Sequence, residues 1–125
     1  MNSIKLKLLA GSILVLHLMG CHAQNKKLMG HGEKVLVIGR HADMLQKITE
    51  MLNRQGYNSI GKQWNEEAIA AFHAEVFDAV VIGGGVDNES RQLFHDKFPI
   101  TNPNIKIIDA HPQTVLSDLN SALQK

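Results

Sequence analysis

Three short stretches of this 125-residue chain hold side chains that could do chemistry together: Arg40-His41, the run Gly83-Gly84-Gly85, and Asp109 with His111. A guanidinium, two imidazoles, a carboxylate and a glycine turn could receive a small anionic ligand in a crevice. The same residues have a plainer reading, in which the glycines shape a tight turn and the charged groups face water. The segment GGGVDNES puts Asp87 and Glu89 directly after the glycines. Carboxylates there would already occupy the positive end of a following helix, which argues against phosphate at that spot. Nor is the segment a dinucleotide fingerprint, which belongs after a first strand, where only Gly39 precedes Arg40.

Histidine could also point to a metal. His22, His31, His41, His73, His95 and His111 contain no pair at i, i+4 spacing, and the single cysteine, Cys21, does not lie among them. A zinc site would therefore have to be assembled in space from loops, with His41, His111 and Asp109 the one trio a fold could bring close. Ser90, His41 and Asp109 can be named as a hydrolytic triad, but no nucleophile-elbow signature accompanies them. The sequence thus predicts no catalytic residue, no metal site and no cofactor.

Elements of defined type must carry these residues. KVLVIG (34–39) and FDAVVIGGG (77–85) are apolar on both faces and ask for the middle of a parallel sheet. YNSIGKQ from Tyr57 and IKIIDA from Ile105 mix in polar residues and read as edge strands. Between them the period changes to 3.6. Met44, Leu45, Ile48, Met51 and Leu52 form one stripe ended by Gly56. Asn65 reads as the N-cap of a second helix with Ile69, Phe72 and Val76 inward, and a third runs from about Asn88 to Lys97. The last follows a Thr114 cap with Val115, Leu116, Leu119, Ala122 and Leu123. Right-handed crossovers give a small three-layer, doubly wound α/β sandwich with strand order 2-1-3-4, helices one and four on one face and two and three on the other. A crevice should open between strands one and three at their carboxyl ends, bringing Arg40, His41, Gly83, Gly84, Gly85, Asp109 and His111 together.

The stretches KVLVIGRHADMLQKITEMLNRQGYNSI, NEEAIAAFHAEVFDAVVIGGG and DAHPQTVLSDLNSALQ resemble the receiver domain of bacterial response regulators in a shortened form. That resemblance implies a flavodoxin-like fold over residues 34–125 and, position by position, lost phosphotransfer. The acidic pair that holds Mg²⁺ in the family corresponds to Gly39 and Arg40, and a guanidinium would repel the ion. The phosphoacceptor corresponds to Gly83, and His111-Pro112 stands where the family has Lys-Pro. One strand-helix unit near the end has no counterpart. The fourth strand is then an exposed edge on which a protein partner or second copy could pair, although Lys106 discourages casual association.

Cys21 carries the clearest address. LHLMGCHAQ (16–24) follows Lys5, Lys7 and an apolar run from Leu8, the layout of a secretory signal and too short for a stable span. Leu18, Met19, Gly20 and Cys21 resemble the lipobox of bacterial lipoproteins, which implies cleavage between Gly20 and Cys21 and acylation of the cysteine. Residues 1–20 are then a removed signal, 21–33 a lipidated tether, and 34–125 the domain, held at an envelope membrane facing away from the cytoplasm. Translation from Met29 in the cytosol is the competing start.

Without Lys5 and Lys7 the chain keeps 11 basic residues against 12 acidic ones, a formal charge of −1. That balance offers nothing to a phosphate backbone, so nucleic acid is not an expected partner. The reading that results is a non-enzymatic protein- or small-ligand-binding module on a lipid anchor. The alternative is an enzyme or nucleotide-binding protein working through the crevice.

Overall fold

The unbroken apolar runs become the centre of the sheet. The computed structural model describes residues 27–124. Its elements are β1 (Lys34–Ile38), α1 (Ala42–Arg54), β2 (Asn58–Lys62), α2 (Asn65–Ala74), β3 (Ala79–Ile82), α3 (Asn88–Thr101), β4 (Lys106–Asp109) and α4 (Val115–Leu123). The strands pair in parallel in the order β2-β1-β3-β4, as the patterning requires. Leu36 stands opposite both Ile60 and Val80, and Ile82 opposite Ile38 and Asp109.

Alternation along the two central strands makes two cores. Leu36, Ile38, Val80 and Ile82 face α2 and α3, meeting Phe72, Phe94 and Phe98. Val35, Val37 and Val81 face α1 and α4, meeting Leu52, Val115 and Leu119. In the first core the rings of Phe72 and Phe98 stack at 4.1 Å and those of Phe94 and Phe98 at 5.3 Å. The burial of Phe98 also explains why α3 passes through Pro99 to Thr101, beyond the boundary its polar residues suggested. The missing proline N–H costs one bond in the last turn, and the buried ring holds that turn down.

Two local readings are corrected. Asn65 is the first helical residue of α2, not its cap; Trp64 holds the cap position and makes no side-chain cap bond. Val76 is not inward: α2 ends at Ala74, Glu75 is extended, and Val76 is 79% exposed.

Gly56 ends the α1 turn at φ +97°, where a side chain is strained, and a Cβ there would strike the Gly30 carbonyl. That contact extends the ordered domain back before Lys34. The Gly30 N–H donates to the Gln55 carbonyl and the Gly32 N–H to the Gly56 carbonyl, each at 2.7 Å. Gly30 lies buried against Tyr57.

The Tyr57 ring is buried with it, and its hydroxyl has no hydrogen-bond partner among the described residues. Burial, helped by the Glu33 carboxylate, pushes the phenol above its ordinary pKa. Tyr57→Phe removes the unpaired group and is expected to raise unfolding free energy by about 1 kcal/mol in urea titration. Because the folded phenol is the weaker acid, this titration leaves wild-type stability unchanged at neutral pH and lowers it as pH rises past the ordinary tyrosine value of 10.0. The Phe variant should lack that alkaline loss.

Candidate functional site

The carboxyl edge of the sheet is assembled where β1 and β3 end side by side. The Gly83 N–H donates to the Ile38 carbonyl at 2.8 Å, so the glycine turn starts flush against β1. His41 and His111 flank that turn: a Cβ on Gly85 would lie 3.3 Å from the His41 ring, and one on Gly84 3.5 Å from His111 Nδ1. The two exposed imidazoles thus lie against the loop, His41 the more closely. A cavity of about 50 Å³ opens behind it between α1 and α4, with Val37, Ile48, Val81 and Val115 among its apolar walls.

Arg40 borders this cavity, but its guanidinium is engaged by protein groups. Nη1 donates to the Gln63 carbonyl, Nη2 donates to Asn65 Oδ1 at 2.7 Å, and Asp87 Oδ1 lies 3.5 Å away. Gln63 Nε2 returns a bond to the Arg40 carbonyl at 2.8 Å, and the guanidinium sits 5.7 Å from the Trp64 ring. Asn65 also donates to the Ser90 hydroxyl at 2.8 Å, so one side chain joins β1, α2 and α3. That explains why Asn65 lies within the helix and does not cap it. Asp87 caps α3 by accepting the Ser90 N–H, and this bond chiefly holds its carboxyl below the usual value, with Arg40 adding to the effect. Arg40→Ala should therefore lower stability by about 2 kcal/mol, the scale of lost charge-assisted bonds to partly buried partners. Chemical denaturation measures it; a change below a few tenths would mean the braces are idle.

Asp109 is not part of the crevice. It stands on the α3 side of β4, where Arg91 Nη1 donates to it at 2.7 Å and His95 Nε2 lies 3.1 Å from its other oxygen. Arg91 also donates to the Gly83 and Val86 carbonyls at 3.0 Å, fastening the glycine turn from below. The trio His41, His111 and Asp109 is thereby split by the sheet. No group of three or more His, Cys, Asp or Glu among the described residues could hold a metal ion. Ser90 is buried beneath Asn65, so no triad forms with His41 and Asp109. The signal for the Arg91–His95–Asp109 cluster was present as an i, i+4 pair on α3 facing a strand-end carboxylate.

Gly20 and Cys21 lie outside the described residues. Within those residues no helix is long and apolar enough to cross a membrane.

No protein-family model and no curated protein matches this sequence. Solved structures do match. The chemotaxis response regulator CheY4 of Vibrio cholerae superposes with a TM-score of 0.54 at 16% identity, over 74% of this chain and 99% of that one. The fold is that of a receiver domain. The receiver domain of the hybrid histidine kinase CckA gives 0.53 at 15% identity, covering 73% of this chain and 99% of its own. Response regulator TrrA of Thermotoga maritima, solved with Mg²⁺ and a beryllofluoride group, gives 0.52 at 21% identity over 71% and 78%. In this receiver fold the carboxyl edge carries two imidazoles, three glycines and a braced arginine. Its cavity of about 50 Å³ is far below the roughly 300 Å³ at which small-molecule pockets begin. A nucleotide or flavin does not fit in it as it stands.

Proposed function

We propose that this chain is a receiver-fold module that binds a protein or small ligand without phosphotransfer, anchored by lipid on Cys21 at a bacterial envelope membrane and facing away from the cytoplasm. The observation that carries the non-phosphorylating part is Arg40. At the β1 edge, where receivers hold Mg²⁺ with carboxylates, this chain has Gly39 and a guanidinium fastened to Gln63, Asn65 and Asp87. A cation braced in that position repels a divalent ion, and Gly83 at the end of β3 offers no acceptor oxygen on a side chain. Anchoring is supported by the basic start, the apolar run and the Leu-Met-Gly-Cys sequence at 18–21. An enzyme working through the crevice is the weaker reading, because Asp109 faces away and the cavity is small.

One experiment addresses both parts. The membrane-fraction protein is incubated with Mg²⁺ and a small acyl phosphate, then weighed intact. The expected chain begins at Cys21, carries acyl mass and gains no phosphoryl group. Added phosphoryl mass would sink the binding-module reading. An unmodified chain beginning near Met29 would sink the anchor and return the domain to the cytosol.

A further inference from the structure

All four strands begin, and all four helices end, on the amino-terminal edge of the sheet. This edge holds four of the six large apolar residues that stand exposed among the described residues: Leu28 at 50%, Met29 at 38%, Val76 at 79% and Ile100 at 80%. Met29 lines one groove and Val76 another, and the two grooves share Leu123 and Gln124. Met29 and Val76 thus border one continuous surface, with Leu28 next to Met29 in the chain and Ile100 near the end of α3 on the same edge.

Of the charges described on this surface only Glu75 and Lys34 form an ion pair; Glu33 and Asp78 accept the backbone N–H groups of His31 and Lys34 and keep their charge. Lys27, Arg54 and Lys106 have no acidic partner among the described residues. Exposed apolar groups among unpaired cations suit a layer of anionic phospholipid headgroups.

Chain length fixes the occupant. Gly30 is fastened to this same edge, nine residues after Cys21. At 3.3–3.6 Å per residue that segment reaches at most about 30 Å. A lipid on Cys21 therefore holds the domain within about 30 Å of the bilayer, with this edge the nearer point of attachment, and the exposed apolar residues decide which face settles on it. The short tether raises the local concentration of surface to millimolar values, so weak contacts suffice.

We infer that the amino-terminal edge, through Leu28, Met29, Val76 and Ile100 with Lys27, Arg54 and Lys106, lies on an anionic phospholipid surface and presents the glycine-turn edge outward. The inference rests on the acylation proposed for Cys21. Trp64, the sole tryptophan, is 52% exposed on the opposite edge and supplies the test.

The acylated full chain is placed in phosphatidylethanolamine–phosphatidylglycerol vesicles containing brominated lipid, which quenches tryptophan on contact. Native Trp64 is compared with two double variants, Trp64→Phe with Val76→Trp and Trp64→Phe with Ile100→Trp. Both substituted positions should be quenched and native Trp64 should not. Equal quenching at all three, as for a domain with no preferred face, overturns the proposal. Absence of quenching at all three, as when a protein covers this edge, overturns it too. If intact mass shows no acylation, the anchor reading falls separately. A recombinant chain beginning at Cys21 is then coupled through that cysteine to a maleimide lipid, and the same comparison still decides the face.

Discussion

Phe98→Ala is expected to lower unfolding free energy by about 3–5 kcal/mol, the range for removing a buried aromatic ring and leaving a cavity. A domain of this size has only about 5–15 kcal/mol in total, so the variant should lose a large fraction of its stability. The site explains the size of the effect. Phe98 is fully buried, stacks on Phe72 and Phe94, and holds the last turn of α3 down across Pro99. With the ring gone, that turn loses both its hydrophobic contact and any reason to continue past the proline, so it should fray from about Pro99. Guanidinium titration gives the free energy, and hydrogen exchange of the amides at 98 and 100–102 gives the fraying. Ile100→Ala, two residues on and 80% exposed, should change stability by no more than about 0.5 kcal/mol. Equal effects at the two positions would mean that the first core is not where the fold is held.

Cys21→Ala, made behind a secretory signal that is cleaved without a lipobox, should move the protein from the membrane pellet to the soluble fraction almost completely. Each buried methylene contributes about 0.8 kcal/mol, and two or three chains anchor stably where one alone is marginal. The contacts inferred for Val76 and Ile100 cannot replace that anchor, because without the tether they act at the low free concentration of the protein. The mutant should fold normally, since Cys21 lies outside the described domain. Its unfolding curve should overlay the wild type. Retention of Cys21→Ala in a salt-washed pellet would show that another feature holds the chain to the membrane.

The sheet was legible because its information is local. β-branched runs at 35–38 and 79–82 have no polar face to expose, so they must be central, and the order of the strands then follows from handedness. Helix ends were less legible because tertiary contacts set them. Phe98 carries α3 beyond its polar pattern, while Val76 continues the apolar spacing of α2 after the helix has stopped. The candidate site was half legible. Strand ends place His41, His111 and the glycines together, as topology requires. Two facts were not in the pattern: which face of β4 Asp109 takes, and that three neighbouring groups capture the Arg40 guanidinium. Both depend on groups distant in sequence: Arg91 and His95 for Asp109, and the Gln63 carbonyl, Asn65 and Asp87 for Arg40.

The Gly30–Gly56 junction has a mechanical meaning. Any pull delivered along the amino-terminal segment meets the bonds from Gly30 to Gln55 and from Gly32 to Gly56 before it reaches β1, the strand bonded on both sides. Those two bonds can part and heal while the sheet stays whole. Their release frees residues 30–32, about 10 Å at full extension, up to Glu33, whose carbonyl accepts the Asn58 N–H. The junction is a fuse in series with the core, so a load arriving along the amino-terminal segment meets it before it can tear at the centre of the fold.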